Sequence, residues 1–277
     1  MAQNVTTAFV DLFESEVKQA YQAESVLRGT TRTRTGVQGN TVKFPKIGKG
    51  VATLRVAQTD VTPLNVTYGS VTASMTDYIA AEYSDIFHQS HISFDERREL
   101  VQVVSKSIAR RCDQIIIDAL AAASGASTVA TGIGGATSNM NIEKIRAAAK
   151  ALNTKNVPAE GRYMLVHASQ LDAMLGSTTI TSSDFAVVKA LVRGEVNQFM
   201  GFNFITIGDR DEGGLPKPST RTCFAWHMDA IGYAESMAQK TEVNYIPEKT
   251  SYLVSSMFSA GAISIDDEGV VAISCTE

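Results

Sequence analysis

The residues of this chain that could do chemistry are four histidines, three cysteines, a glycine cluster and two acidic runs. His88 and His91 stand three apart in "HQSH", a spacing that could present two imidazoles to one metal ion. A site needs three or four ligands, and no further His, Cys or carboxylate recurs beside them at a ligand spacing. They read as surface histidines next to a helix start. His167 lies in an apolar run and His227 beside Trp226. Neither has a Gly-x-Ser-x-Gly elbow or a nucleophilic cysteine to serve, so both read as buried, hydrogen-bonded side chains. Residues 132–135, "GIGG", lack the spacing and the Gly-Lys-Ser/Thr of a phosphate loop and read as a flexible loop. "GDRDEGG" (208–214) and "DDEG" (266–269) could attract calcium, but neither supplies a twelve-residue loop closed by glutamate, so both read as turns. Cys112, Cys223 and Cys275 are odd in number, far apart and without a CxxC, which suggests reduced thiols in a cytosolic setting. These residues support no catalytic centre, no metal site and no cofactor.

The charge pattern is more informative. Arg28, Arg32, Arg34, Lys43, Lys46, Lys49 and Arg55 fall in one stretch that contains no acidic residue. Residues 209–277 hold eleven acidic and five basic residues, a net of −6, so one chain carries two complementary surfaces. Intersubunit docking by these seven cations, with Tyr68 and Tyr78, is the expectation. A solvated strip and nucleic-acid binding are the other readings; only Phe44 interleaves the cations as a base-stacking aromatic would. The overall charge of −4 implies no global attraction to nucleic acid or to anionic membrane. The first residues have no basic segment followed by an apolar one, and no run approaches the ~20 apolar residues of a membrane span. The expectation is a soluble intracellular product without a membrane partner.

The elements that must position these residues are mixed. Residues 93–125 read as one unbroken helix of about 31 residues, roughly 46 Å long. Ser93 with Glu96 forms a capping box, Gly125 offers a stop, and Val101, Val104, Ile108, Cys112, Ile115 and Ala119 make one apolar stripe. An amphipathic helix is expected at 7–25, another at 142–153 capped by Asn141, and a further one at 184–193. Strands are expected at 51–57 and 64–80, paired across "TDVTP", and at 197–208, 223–235, 241–247, 251–265 and 270–275, the last two as a hairpin across "DDEG". "RYMLVHASQLDAML" (162–175) reads as a buried strand passing into a short helix. Neither side-chain row of 65–79 is cleanly apolar, so this ribbon is expected to leave the body and to be held by something else. No βαβ rhythm appears, which points to an α+β fold.

The order of these elements resembles a tailed-bacteriophage major capsid protein of the Hong Kong 97-type fold. "RYMLVHASQLDAML", "CFAWHMDAIGYAE" and "SMFSAGAISIDDEGVVAIS" are the stretches that carry the resemblance, which covers nearly the whole chain. It implies an N-terminal arm over 1–32 and an extended loop over 33–86. It further implies a peripheral domain with its spine helix over 94–150 and 250–277, and an axial domain over 151–249. It also implies a structural protein that is not an enzyme, assembling as pentamers and hexamers into an icosahedral shell around double-stranded DNA, with its extended loop lying over the adjacent subunit. The implied partners are further copies of itself, packaged DNA, and portal, scaffolding or cement proteins. The implied location is the virion capsid, assembled in the host bacterial cytoplasm. The start of the chain directly at the arm favours a separate scaffold, or none, over a fused one. An encapsulin-type compartment for enzymes and an uncharacterised soluble enzyme are the alternative functions.

Overall fold

The computed structural model describes residues 22–91, 95–123, 126–135, 138–176 and 198–277. Three sheets and a long helix organise them. A four-stranded sheet has the order β1–β10–β11–β4, formed by Arg32–Thr35 (β1), Ile231–Ile246 (β10), Ser251–Ser264 (β11) and Thr76–Asp85 (β4). β1 runs parallel to β10, and the other neighbours are antiparallel. Helix α1 (Ile86–His91) follows β4, and α2 (Glu96–Ala121) packs chiefly on β11, β4 and β10. A six-stranded sheet runs β5–β12–β9–β6–β8–β7. Its strands are Ser127–Val129 (β5), Val270–Cys275 (β12), Arg221–His227 (β9), Arg162–His167 (β6), Phe202–Ile207 (β8) and Gln198–Phe199 (β7), and helix α3 (Ile142–Thr154) lies against β12 and β5. The third sheet is a two-stranded arm, Thr41–Ile47 (β2) against Tyr68–Ser74 (β3).

Local signals explain the helices. In α3 the Asn141 side chain accepts from the Lys144 amide, as its type and place predict. Strand β6 passes straight into α4 (Ala168–Gly176), as read from 162–175. The long helix is real but shorter than expected, 26 residues or about 39 Å. Its cap is Asp95, which accepts from the Arg98 amide, and Glu96 instead accepts the Ser84 hydroxyl at 2.6 Å. Ser93 and Gly125 lie outside the described residues. The stripe Val104, Ile108, Cys112, Ile115 and Ala119 is buried, as its three- and four-residue steps require.

The strand pairings differ more. Residues 51–57 form no strand; the partner of β3 is β2, upstream, and the expected strand 64–80 divides at Met75 into β3 and β4. A Val/Thr-rich segment becomes a strand only where a neighbour offers a ladder, and among the described residues 51–57 has none. Strand 197–208 is a hairpin, β7 and β8, turned at Met200 and Gly201, both at positive φ. Strand 223–235 breaks at the turn Met228–Ala230, so β9 and β10 belong to different sheets, and 241–247 continues β10. β11 and β12 form no hairpin, because the amides of Ile265 and Asp266 both donate to Ala230 O and carry the chain from one sheet to the other. Of the helix expected at 7–25, residues 1–21 lie outside the described residues and 22–25 are not helical; 184–193 is likewise outside.

The arm also has a buried root, contrary to the expectation of a ribbon without an apolar side. Val42, Phe44 and Ala73 are buried with Ala234 and Ile265 in a small second core. Phe44 lies over Gly232, where an added Cβ would stand 2.8 Å from two of its ring carbons. The apolar row is completed by β2, so it could not be seen in 65–79 alone. Phe44→Ala is expected to cost about 3–5 kcal/mol in urea unfolding and to make residues 41–74 the first site of limited proteolysis. Wild-type cleavage kinetics in that variant would contradict this role for the ring.

Candidate functional site

The seven cations and two tyrosines singled out by sequence do not share one environment. Arg28 is paired with the buried carboxylate of Glu235. Arg34 lies over the Phe44 ring at 5.3 Å and donates to Lys43 O. Lys46 and Lys49 pair with Asp266 and Glu268 of the same chain at 2.9 and 2.7 Å. Tyr78 is packed into the body, stacked on Phe258 with Arg111 over its ring. Arg32, Lys43, Arg55 and Tyr68 are exposed. Part of the charge complementarity between the basic stretch and the acidic C-terminal quarter is therefore satisfied within one chain.

Beyond the arm's root the structure exposes apolar surface. Gly48 N donates to Thr67 O, and between these residues runs a segment without a ladder. Leu54 is 92% exposed, Val61 89%, and Val51, Val56, Leu64 and Tyr68 also face solvent. Large apolar side chains concentrated on one projecting segment mark a surface that another molecule covers. The sequence carried this signal as Val and Leu at 51, 54 and 56, in a segment expected to be a strand of a ribbon that leaves the body.

Two carboxylates unnoticed in the sequence hold the approach to the arm. Asp113 is fully buried on α2 and accepts from the Ser25 hydroxyl at 2.7 Å, from the amides of Val26 and Leu27, and from Arg210 at 3.0 Å. An acid inside the apolar stripe of a helix was the available clue. Glu235, on β10, receives Arg28, and the Trp226 indole donates to Thr30 O at 3.1 Å. Together these pin residues 25–30 between the two main sheets.

A third cluster gathers at Glu277. Its carboxylate takes Arg221, Lys217, the Ser169 hydroxyl at 2.7 Å and the Gln170 amide. Hydrogen bonding from Arg221 is the main reason its pKa lies well below the usual carboxylate range. His167 Nδ1 lies 2.9 Å from Ser169 Oγ, and its Nε2 3.4 Å from Asp209. This superficially resembles a Ser-His-Asp set, but Nδ1 also accepts from the Ser169 amide, so the imidazole acts as a cap for α4. His227 does the same for the Asp229 amide. Burial, then the nearby Arg221, holds His167 below the ordinary imidazole value. The three cysteines are buried and unpaired. No group of three His, Cys, Asp or Glu among the described residues is placed to hold a metal, and no described helix is long and apolar enough to cross a membrane.

Two outcomes follow. Asp113→Ala is expected to lose about 3–5 kcal/mol, because Arg210 and three donors lose their buried acceptor; Asp113→Asn, which keeps an acceptor oxygen, should lose less. An alanine variant with wild-type urea stability would refute the anchor. For pH, Glu277 is more acidic folded than unfolded, so its contribution is complete above about pH 5 and fades as pH falls. His167 resists protonation when folded, so stability also declines as pH drops below about 6.5. The Tm difference between wild type and Glu277→Gln should accordingly be largest near pH 7 and shrink below about pH 4.5; a constant difference in calorimetry would show that the carboxylate has no linked role.

A family model described as "Phage capsid protein" matches residues 5–277. No curated protein matches the chain in sequence. The capsid of Cyanophage P-SCSP1u superposes with a TM-score of 0.78 at 14% identity, covering 100% of this chain and 96% of that one. The head of Helicobacter pylori bacteriophage KHP40 gives 0.78 at 12% identity, covering 99% of each chain. A structure from Mycobacterium phage Che8 gives 0.73 at 17% identity, covering 95% of each. At these identities the likeness to the solved structures is one of fold.

Proposed function

The chain belongs to the phage capsid protein family and is a structural major capsid protein of an icosahedral shell, not an enzyme; from that premise we propose how its arm and plate assemble. The α2 helix with the four-stranded sheet makes a peripheral plate, and the six-stranded sheet makes an axial one. This keeps the division into arm (1–32), extended loop (33–86), peripheral (94–150, 250–277) and axial (151–249) parts, except that by sheet membership β1, β4 and β10 go with the peripheral plate and β5 and β12 with the axial one. The extended loop rests on an adjacent copy through its apolar tip, with Arg55 within it, Lys43 and Tyr68 on the strands that lead to it, and Arg32 exposed nearer the body. The single observation that carries this reading is the cluster of exposed Val51, Leu54, Val56, Val61 and Leu64 on a segment without a ladder. Burying several such side chains between copies contributes about 1.5–3 kcal/mol each, repeated at every subunit of a shell.

The subunits close as pentamers and hexamers around double-stranded DNA, in the cytoplasm of a bacterial host. The family match favours a genome as cargo over the proteins held by an encapsulin. Nucleic-acid absorbance and mass spectrometry of purified particles separate the two. Portal, scaffolding and cement proteins are further partners of such a shell.

Electron microscopy of the purified protein should show closed shells or capsomer rings. Val51→Asp with Leu54→Asp is expected to lower shell yield about tenfold or more. Subunit stability should stay within about 0.5 kcal/mol, since both side chains are solvated in the subunit. Wild-type shell yield from that variant would remove the tip from the interface. Uniform small particles from the wild type would refute assembly altogether.

A further inference from the structure

The acidic turn after β11 faces two cations of the arm. Lys46 Nζ stands 2.9 Å from Asp266 Oδ1, and Lys49 Nζ stands 2.7 Å from Glu268 Oε2. Asp266 also holds its own turn, accepting from the Glu268 amide, so the two acids are presented in fixed relation. These pairs follow the Phe44 root along β2. Among the described residues, Lys49 is the last of this strand's continuation with an ion pair or hydrogen bond to the body. Each side chain in the two pairs is at least 40% exposed, so the pairs lie on the surface and are not part of the core.

Their position gives them leverage. The exposed tip near Leu54 lies about ten extended residues beyond Phe44, or roughly 30 Å at 3.3 Å per residue when fully extended. A swing of about 10° at the root would then move the tip about 5 Å, more than docking of packed side chains tolerates. A two-stranded ribbon is by itself a weak lever, marginal in stability and free to twist. Phe44 fixes where the arm leaves the body; one aromatic contact near the axis of a swing resists that swing poorly. The two ion pairs sit farther out and resist it better.

We propose that Lys46–Asp266 and Lys49–Glu268 form an electrostatic catch that sets the angle of the arm in the unassembled subunit, so that the tip is aimed before a second copy arrives. An arm held near its docked angle loses less freedom on association. The catch rests on the assembly reading for its purpose, but its existence is a property of the single subunit. Because both pairs are surface pairs, the catch loosens as salt rises and the screening length falls from about 10 Å at 0.1 M to about 3 Å at 1 M.

The test uses the full chain with spin labels on Leu54→Cys and Lys150→Cys, the three native thiols being buried. Pulsed electron resonance on unassembled subunits should give a narrow distance distribution. K49E alone and E268K alone should broaden it, and the swapped variant K49E/E268K should narrow it again. Lys46→Gln and Asp266→Asn, the latter keeping an acceptor for the turn, should broaden it less. In unlabelled protein, each single reversal should slow shell formation by about three- to fivefold, with recovery in the swapped variant and unchanged melting of the body. Unaltered distances in the single reversals, or no recovery in the swap, overturn the catch. A loosened arm that still assembles at the wild-type rate overturns its aiming role. Failure of the wild type to form any shell would instead refute the assembly reading, and the distance measurements would stand apart from it.

Discussion

The seating of Phe44 against Gly232 is the contact on which the rest of the molecule's shape depends. It is the point where the arm, the long strand β10 and the acidic turn meet, with Ile265 against the glycine and Arg34 over the ring. A glycine is required there because any side chain would occupy the space of the ring. Inward of this contact the chain is a packed body with two sheets and a long helix. Outward of it the chain offers side chains that nothing among the described residues covers. A projecting ribbon needs an apolar root, which the structure provides, and a covered tip, for which we propose another copy.

The charges follow the same division. Buried acids draw in the segment that enters the arm, Asp113 through the Ser25 hydroxyl and the Val26 and Leu27 amides and Glu235 through Arg28. These carboxylates are shielded from salt and are structural. The surface pairs of Lys46 and Lys49 are screened and individually weak, which suits a contact whose task is orientation rather than stability. The basic stretch and the acidic C-terminal quarter, expected to meet between subunits, thus pair in part within one subunit. Arg28, Lys46 and Lys49 serve the subunit, while Arg32, Lys43 and Arg55 remain on its surface.

The residues that could have done chemistry turn out to close backbone hydrogen bonds. His167 and His227 each accept from the amide two residues ahead, and each terminates a strand by capping the turn or helix that follows. Asp209, Arg221 and Glu277 then join β8, β9 and the end of the chain around His167. Such a cluster ties together the ends of the inner strands of the six-stranded sheet, in keeping with a protein whose work is mechanical.

The elements legible from sequence are those whose causes lie within a few residues. The Asn141 cap, the stripe from Val104 to Ala119 and the passage of 162–167 into α4 rest on contacts three or four positions apart. The family resemblance was legible because the order of such elements survives when individual residues change. Pairing was not legible. β1 joins β10 across about 200 residues, β12 joins β9 rather than the β11 beside it in sequence, and β2 supplies the apolar row that β3 lacks. Likewise 51–57 has the composition of a strand but no partner strand among the described residues, so its valines and leucine face outward and become the candidate contact. Helix propensity is a property of the segment; a strand, and the face it shows to solvent, exists only relative to whichever neighbour the folded chain brings alongside.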